Sequence, residues 1–302
     1  MDRIEVMNLV TSYQLGKLNR RQFLSRAAVA VGSLSIANML AACTMVVPEN
    51  APAPQLIETP AAGESPATEP MDDGELITQV VTYPDRDGEE LSGYLARPSS
   101  GEPAPAVIVV QEWWGLDEHI KDVTRRFAQA GFVALAPDLY KGSVATEPDE
   151  ARKLVMELDQ PEAVSEIDQA MAYLLDQDYV SSDKAGVVGF CMGGGLALQT
   201  AITSDRIGAA VPFYGTLLTP EEAAQAKAPI QGHYGAEDRF DLDALAEMVA
   251  VVKDEAGLDA EAYVYDGAPH AFFNDTRADS YRPEAAALAW ERTLEWLHSH
   301  LG

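Results

Sequence analysis

Three residues of complementary chemistry follow one another along the second half of a 302-residue chain: Cys191, Asp238 and His270. Cys191 lies in Gly189-Phe190-Cys191-Met192-Gly193. A nucleophile set between glycines at a sharp strand-to-helix turn projects its side chain above a sheet, because only small flanking residues tolerate so tight a backbone approach. Asp238 ends Tyr234-Gly235-Ala236-Glu237-Asp238, and His270 sits in Gly267-Ala268-Pro269-His270-Ala271-Phe272. A thiol with a reference pKa of about 8.5 is mostly protonated at neutral pH, so it needs an imidazole to favour thiolate, and a carboxylate to orient that imidazole. Taken singly, each residue has a plain structural reading: a small core cysteine, a loop-capping aspartate, a satisfied loop histidine. Together, in the order nucleophile, acid, histidine, each just after a strand, they point to covalent catalysis.

Positioning these groups requires alternating strands and helices, and the hydrophobic pattern supplies them. Residues 76–83 and 91–97 read as strands around a turn at Asp87-Gly88. Residues 106–110 form a continuous apolar run, as expected of a strand covered on both faces. Leu116, Ile120, Val123, Phe127 and Ala130 then recur at helical spacing, and 132–136 returns as a strand. Ala163, Ile167, Ala170 and Leu174 mark a helix, and 185–189 a strand that runs into the glycine-rich turn. Strands follow at 207–213, 229–234 and 260–265, with a helical stripe of Leu245, Met248, Val249 and Val252 and a last helix opened by Pro283. Repeated β-α-β order predicts an α/β fold, a mostly parallel sheet flanked by helices on both faces. Cys191, Asp238 and His270 then fall on loops at the carboxyl edge of that sheet. Glu112 and Trp113 follow the strand 106–110, where a second oxyanion-binding amide belongs, so the backbone amides of Trp113 and Met192 are the expected oxyanion donors.

Several separated segments carry a resemblance: Gln111-Glu112-Trp113-Trp114-Gly115, Ala136-Pro137-Asp138-Leu139-Tyr140, Gly189-Phe190-Cys191-Met192-Gly193-Gly194, Gly235-Ala236-Glu237-Asp238 and the stretch around His270. Over about residues 75–301 the chain resembles the dienelactone hydrolase family, also called carboxymethylenebutenolidases. The resemblance implies a single-domain α/β-hydrolase without a cofactor that opens a lactone or cleaves a related ester. It implies Cys191, Asp238 and His270 as the triad, and Glu112 as a buried glutamate that helps deprotonate the thiol when substrate arrives. Family members acting on the anionic lactone hold its carboxylate with arginines, one of them a few residues after the histidine; here Asn274 stands at that position. Arg277 and Arg152 are the candidate replacements, and Trp114 and Tyr140 are further candidate substrate-binding residues. A broad-range carboxylesterase is the alternative within enzymes, and a non-catalytic lipoprotein binding a small apolar ligand in the same cleft is the alternative outside them.

Composition narrows the partners. Twenty-one Lys and Arg against 48 Asp and Glu give a net charge of −27, which leaves no basic footprint for nucleic acid. The other histidines, His119, His233, His298 and His300, have no ligand spacing supported by nearby Cys or carboxylates, so no metal is expected. Charge is uneven: residues 1–42 carry a net +3, an uncharged stretch spans 27–47, and the body is acidic. Asn19-Arg20-Arg21-Gln22-Phe23-Leu24 resembles a twin-arginine export signal, and Leu40-Ala41-Ala42-Cys43 a bacterial lipobox whose Cys43 becomes the lipidated first residue. An uncleaved single-span anchor is the alternative, and both put the body outside the cytoplasm, membrane-anchored in a periplasm or at a cell surface. Residues 44–74 are rich in Pro, Ala and Glu and read as a semi-extended tether. The expected organisation is a signal segment over 1–43, that tether, and a hydrolase domain over 75–302, acting as a monomer.

Overall fold

A computed structural model describes residues 76–302, so the twin-arginine segment, Cys43 and the proline-rich stretch lie outside the described residues. Eight strands are formed: β1 (Leu76–Pro84), β2 (Glu90–Pro98), β3 (Ala106–Val110), β4 (Val133–Pro137), β5 (Ala185–Phe190), β6 (Ile207–Phe213), β7 (Ile230–Gly235) and β8 (Ala260–Tyr265). Between and after them lie α1 (Glu118–Gln129), α2 (Pro148–Glu157), α3 (Gln160–Leu175), α4 (Met192–Thr203), α5 (Pro220–Ala223), α6 (Leu242–Asp254) and α7 (Pro283–Leu301). The strand order is β1-β2-β4-β3-β5-β6-β7-β8. β1 and β2 form an antiparallel hairpin, β2 meets β4 antiparallel, and every later pairing is parallel.

The reasons are local before they are global. In β3 and β5 every residue is buried, which a strand achieves only when helices cover both faces of its sheet. α1 begins where Asp117 accepts a hydrogen bond from the Ile120 amide at 3.0 Å, and it turns Ile120, Val123 and Phe127 inward. Burying each of these three side chains is worth roughly 1.5–3 kcal/mol. Phe127 then meets Trp290 of α7, ring centroids 4.5 Å apart, so the first and last helices share one cover. α5 has four residues, too few to show an apolar period, and is held instead by a capping box of Thr219 and Glu222.

This topology prepares the site. The chain leaves β3, returns through α1 to β4 on one side, and then crosses by α2 and α3 to β5 on the other side of β3. Chain direction thus diverges between β3 and β5, and a crevice opens outside their carboxyl ends. Glu112 and Trp113 follow β3, and Cys191 follows β5. No helix among the described residues is long and apolar enough to cross a membrane.

Candidate active site

Cys191 occupies a backbone conformation that L-residues rarely adopt, φ +54° and ψ −113°, between the end of β5 and the first residue of α4. Such strain persists only where surroundings over-determine it. Here a Cβ on Gly189 would come within 2.0 Å of the Gly193 carbonyl, and one on Gly193 within 2.5 Å of the carbonyls of Val110 and Gln111. Only glycine permits strand, turn and helix to approach this closely. The Cys191 amide donates to the Phe213 carbonyl of β6 at 3.0 Å, which fixes the turn to the next strand. Met192 is the first residue of α4, where a helix amide has no intrahelical acceptor and is available to a ligand oxygen.

The loops after β7 and β8 bring in the acid and the imidazole. A Cβ on Gly235 would strike the Ala268 carbonyl at 2.2 Å, so these loops pack backbone to backbone. Asp238 Oδ2 lies 2.8 Å from His270 Nδ1. That contact occupies Nδ1 and leaves Nε2 as the nitrogen available to the thiol. Burial works against a charge on the ring, but the charge and hydrogen bond of Cys191, with those of Asp238, prevail and raise the His270 pKa well above its ordinary 6.5.

Glu112 lies beside this group and is 3% exposed. Its Oε1 accepts from the Tyr214 hydroxyl at 3.1 Å and its Oε2 from the Asn274 side-chain amide at 2.7 Å. Tyr214, also in a left-handed conformation at φ +40°, follows β6, and its amide donates to the His233 carbonyl. Burial first, then the field of Glu112, raises the phenol pKa far up, so Tyr214 stays a donor.

A cavity of about 460 Å³ opens over these groups, lined by Glu112, Trp113, Trp114, Cys191, His270 and Arg277 among others. The Arg277 guanidinium lies 3.8 Å over the Trp114 ring, which packs edge-on against Trp113. Arg277 makes no ion pair with a carboxylate among the described residues. A larger cavity of about 530 Å³ between α3 and α4 is lined by Asp168, Gln199 and Arg206 and contains neither a cysteine nor a histidine. No group of three or more His, Cys, Asp and Glu among the described residues could hold a metal ion.

Two of the expected substrate-binding residues lie away from the cavity lining. Tyr140 does not line the cavity; its hydroxyl lies 3.3 Å from both the Trp113 carbonyl and the Met192 sulfur, tying together from behind the two residues whose amides are the expected oxyanion donors. Arg152 pairs with Asp149 one turn earlier on α2, 2.5 Å away, and also lies outside the cavity wall. Conversely, pattern reading passed over Tyr214 and set His119 aside. The signal for Tyr214 is its place directly before Gly215 at the carboxyl end of β6, where backbone crowding against Gly194 demands glycine.

Eight mostly parallel strands, a strained nucleophile turn after β5, and acid and histidine on loops after β7 and β8 define an α/β-hydrolase. Within that class, residues 91–301 match the dienelactone hydrolase family, and the chain belongs to it. It is 38% identical to "Protein usf" of Aquifex pyrophilus across 74% of this chain and 99% of that one. It is 34% identical to a protein of Aquifex aeolicus named "Putative carboxymethylenebutenolidase", again across 74% and 99%. Its fold matches the crystal structure titled "Putative Dienelactone Hydrolase" from Klebsiella pneumoniae, with TM-score 0.67 and 32% identity, across 74% of this chain and 98% of that one.

Proposed function

We propose that this hydrolase opens a lactone, or cleaves a related carboxylic ester, through a thioester formed on Cys191. The observation that carries the reading is the 2.8 Å contact between Asp238 and His270, on an imidazole coupled to the Cys191 sulfur within one cavity. Glu112 takes the thiol proton as substrate arrives, and the thiolate attacks the carbonyl carbon. The oxygen that becomes negative is held by the amides of Trp113 and Met192, donors fixed before the reaction begins. As the tetrahedral intermediate collapses, the C–O bond breaks and His270 delivers its proton to the leaving alkoxide. Water, deprotonated by the now neutral His270, attacks the thioester; the C–S bond breaks, the carboxylic acid leaves, and Glu112 returns its proton to the departing thiolate. Asp238 holds the imidazole in register and stabilises its charged form.

Arg277 supports a substrate that is itself anionic. Stacked on Trp114 at the cavity wall and free of a carboxylate ion pair, it offers its donors to a substrate carboxylate. Outside the described residues, we propose that 1–43 are an export signal ending in the lipidated Cys43. Residues 44–74 then tether the 75–302 hydrolase domain on the extracytoplasmic face of a membrane. The test of the chemistry is a comparison of Cys191→Ser and Glu112→Gln on an aryl ester and a lactone. Both should fold with native melting temperature and lose most of kcat/KM. Full activity in Cys191→Ser would make the thiol dispensable and reject the thioester route.

A further inference from the structure

We propose that His119, held by Asp275, is a positioning residue for Glu112: its tie to Asp275 fixes the loop whose Asn274 grips that carboxylate. The proposal rests on the reading that Glu112 acts on the Cys191 thiol. Both donors to Glu112, the Tyr214 hydroxyl and the Asn274 amide, are neutral. No cation among the described residues forms an ion pair with Glu112. A carboxylate buried to this degree without a counter-charge is costly.

His119 is the second residue of α1, and its side chain is 1% exposed. Its Nδ1 lies 3.2 Å from Asp275 Oδ1, while its Nε2 is buried and closes no hydrogen bond. Asp275 from the loop, Glu112 from the end of β3 and Asp117 at its own helix cap all act electrostatically on this ring, while Arg126 lies in the field of Asp275. Burial opposes a charge on this ring, yet the bond to Asp275 and the fields of these three acids outweigh it, so the His119 pKa lies above its ordinary value. Asp275 shows the other half of the pairing: its hydrogen bond to His119, aided by the field of Arg126, holds its pKa below the usual carboxylate value.

The geometry carries that tie to the reactive centre. Asp275 stands between Asn274 and Thr276, and the Asn274 side-chain oxygen accepts from the Thr276 amide at 3.0 Å and its hydroxyl at 2.6 Å. The Asn274 amide donates to the Ala271 carbonyl, one residue from His270, and its carbonyl accepts from the Arg277 amide. Anchoring Asp275 to α1 therefore sets the Asn274 amide 2.7 Å from Glu112 and the Arg277 backbone at the cavity wall. Both ends of the arrangement are needed, since Asn274 can aim Glu112 only if the loop is still.

The experiment measures turnover of p-nitrophenyl acetate by six proteins: wild type, His119→Asn, Asp275→Asn, Glu112→Gln, and the two double variants that combine His119→Asn or Asp275→Asn with Glu112→Gln. Asparagine at 119 removes the imidazole that reaches Asp275 while leaving a polar side chain at the start of α1. His119→Asn and Asp275→Asn should each lower kcat roughly tenfold or more with little change in KM, the mark of a misaimed reactive group. In the Glu112→Gln background neither should add a further loss, because both act through that carboxylate. Asp275 is 44% exposed at its side chain, so Asp275→Asn carries the test should His119→Asn fail to fold. A kcat within twofold of wild type in either folded variant overturns the proposal, as do losses that multiply with Glu112→Gln. A fully active Glu112→Gln overturns the reading of Glu112 and this proposal with it; a slow Glu112→Gln beside a fast Asp275→Asn overturns this proposal alone.

Discussion

Adding one methyl group at Gly193 should disable the enzyme while leaving it folded. A Cβ there would lie 2.5 Å from the carbonyl oxygens of both Val110 and Gln111, and 2.8 Å from the Val110 carbonyl carbon. These are backbone atoms at the end of β3, so no side chain can swing aside. Ordinary contact begins near 3.4 Å, so α4 and the end of β3 must separate by about 0.9 Å. Those two segments carry the amides of Met192 and Trp113, the expected oxyanion donors. A misplacement of about 1 Å costs on the order of a hundredfold in rate, or about 2.7 kcal/mol of transition-state stabilisation. Overpacking should also cost about 1–3 kcal/mol of stability, a drop of several degrees in melting temperature for a domain of this size. Steady-state hydrolysis of an aryl ester and differential scanning calorimetry measure the two effects separately. Gly88→Ala is the control: it has open space but φ +86°, so it should lose about 1 kcal/mol of stability and no kcat/KM. A Gly193→Ala enzyme with kcat/KM within threefold of wild type would refute the argument from close approach.

Three further outcomes are expected, two from the geometry of the site and one from the sequence of the leader. Because Asp238 is one of the groups that raise the His270 pKa, Asp238→Asn should move the alkaline limb of the kcat/KM profile to lower pH. The sign for stability is that of a raised histidine: the advantage of wild type over Asp238→Asn should be full below pH 6.5 and fade as pH rises through the folded pKa; an advantage that grows with pH contradicts it. Arg277→Ala should raise KM about tenfold for an ester bearing a carboxylate and leave a neutral ester almost unaffected, so equal effects on both would remove Arg277 from substrate recognition. Cys43→Ala should shift the full-length protein from the membrane to the soluble fraction of its host, and retention in the membrane would leave the uncleaved anchor as the better account.

The parts of this molecule readable from sequence are those written in local pattern. The unbroken apolar runs of β3 and β5 announce two-sided burial, and the glycines around Cys191 announce a turn too tight for side chains. Asp238 and His270 are candidates because each lies a few residues past a predicted strand, β7 or β8, at the carboxyl edge of the sheet. The clamp on Glu112 was not readable in this way: Tyr214 and Asn274 lie 102 and 162 residues from it, and a polar residue in a loop has no period to betray its partner. His119 carries no ligand spacing in the sequence, and its partner Asp275 lies 156 residues later. Tyr140 follows a strand end, where an aromatic residue suggests a pocket wall, but its hydroxyl turns back to Trp113 and Met192, a contact no local pattern reveals. Arg152 pairs with Asp149 three residues earlier on the same helix, a spacing visible in the sequence.

Trapping the acylated enzyme tests the central claim most directly. Rapid acid quench of the protein during turnover of p-nitrophenyl acetate, followed by intact-mass and peptide mass spectrometry, should reveal a single acetyl increment on the peptide containing Cys191. That increment should be removed by hydroxylamine and absent from Cys191→Ala. Turnover at wild-type rate by Cys191→Ala, or an acyl group accumulating on any residue other than Cys191, would contradict the thioester mechanism.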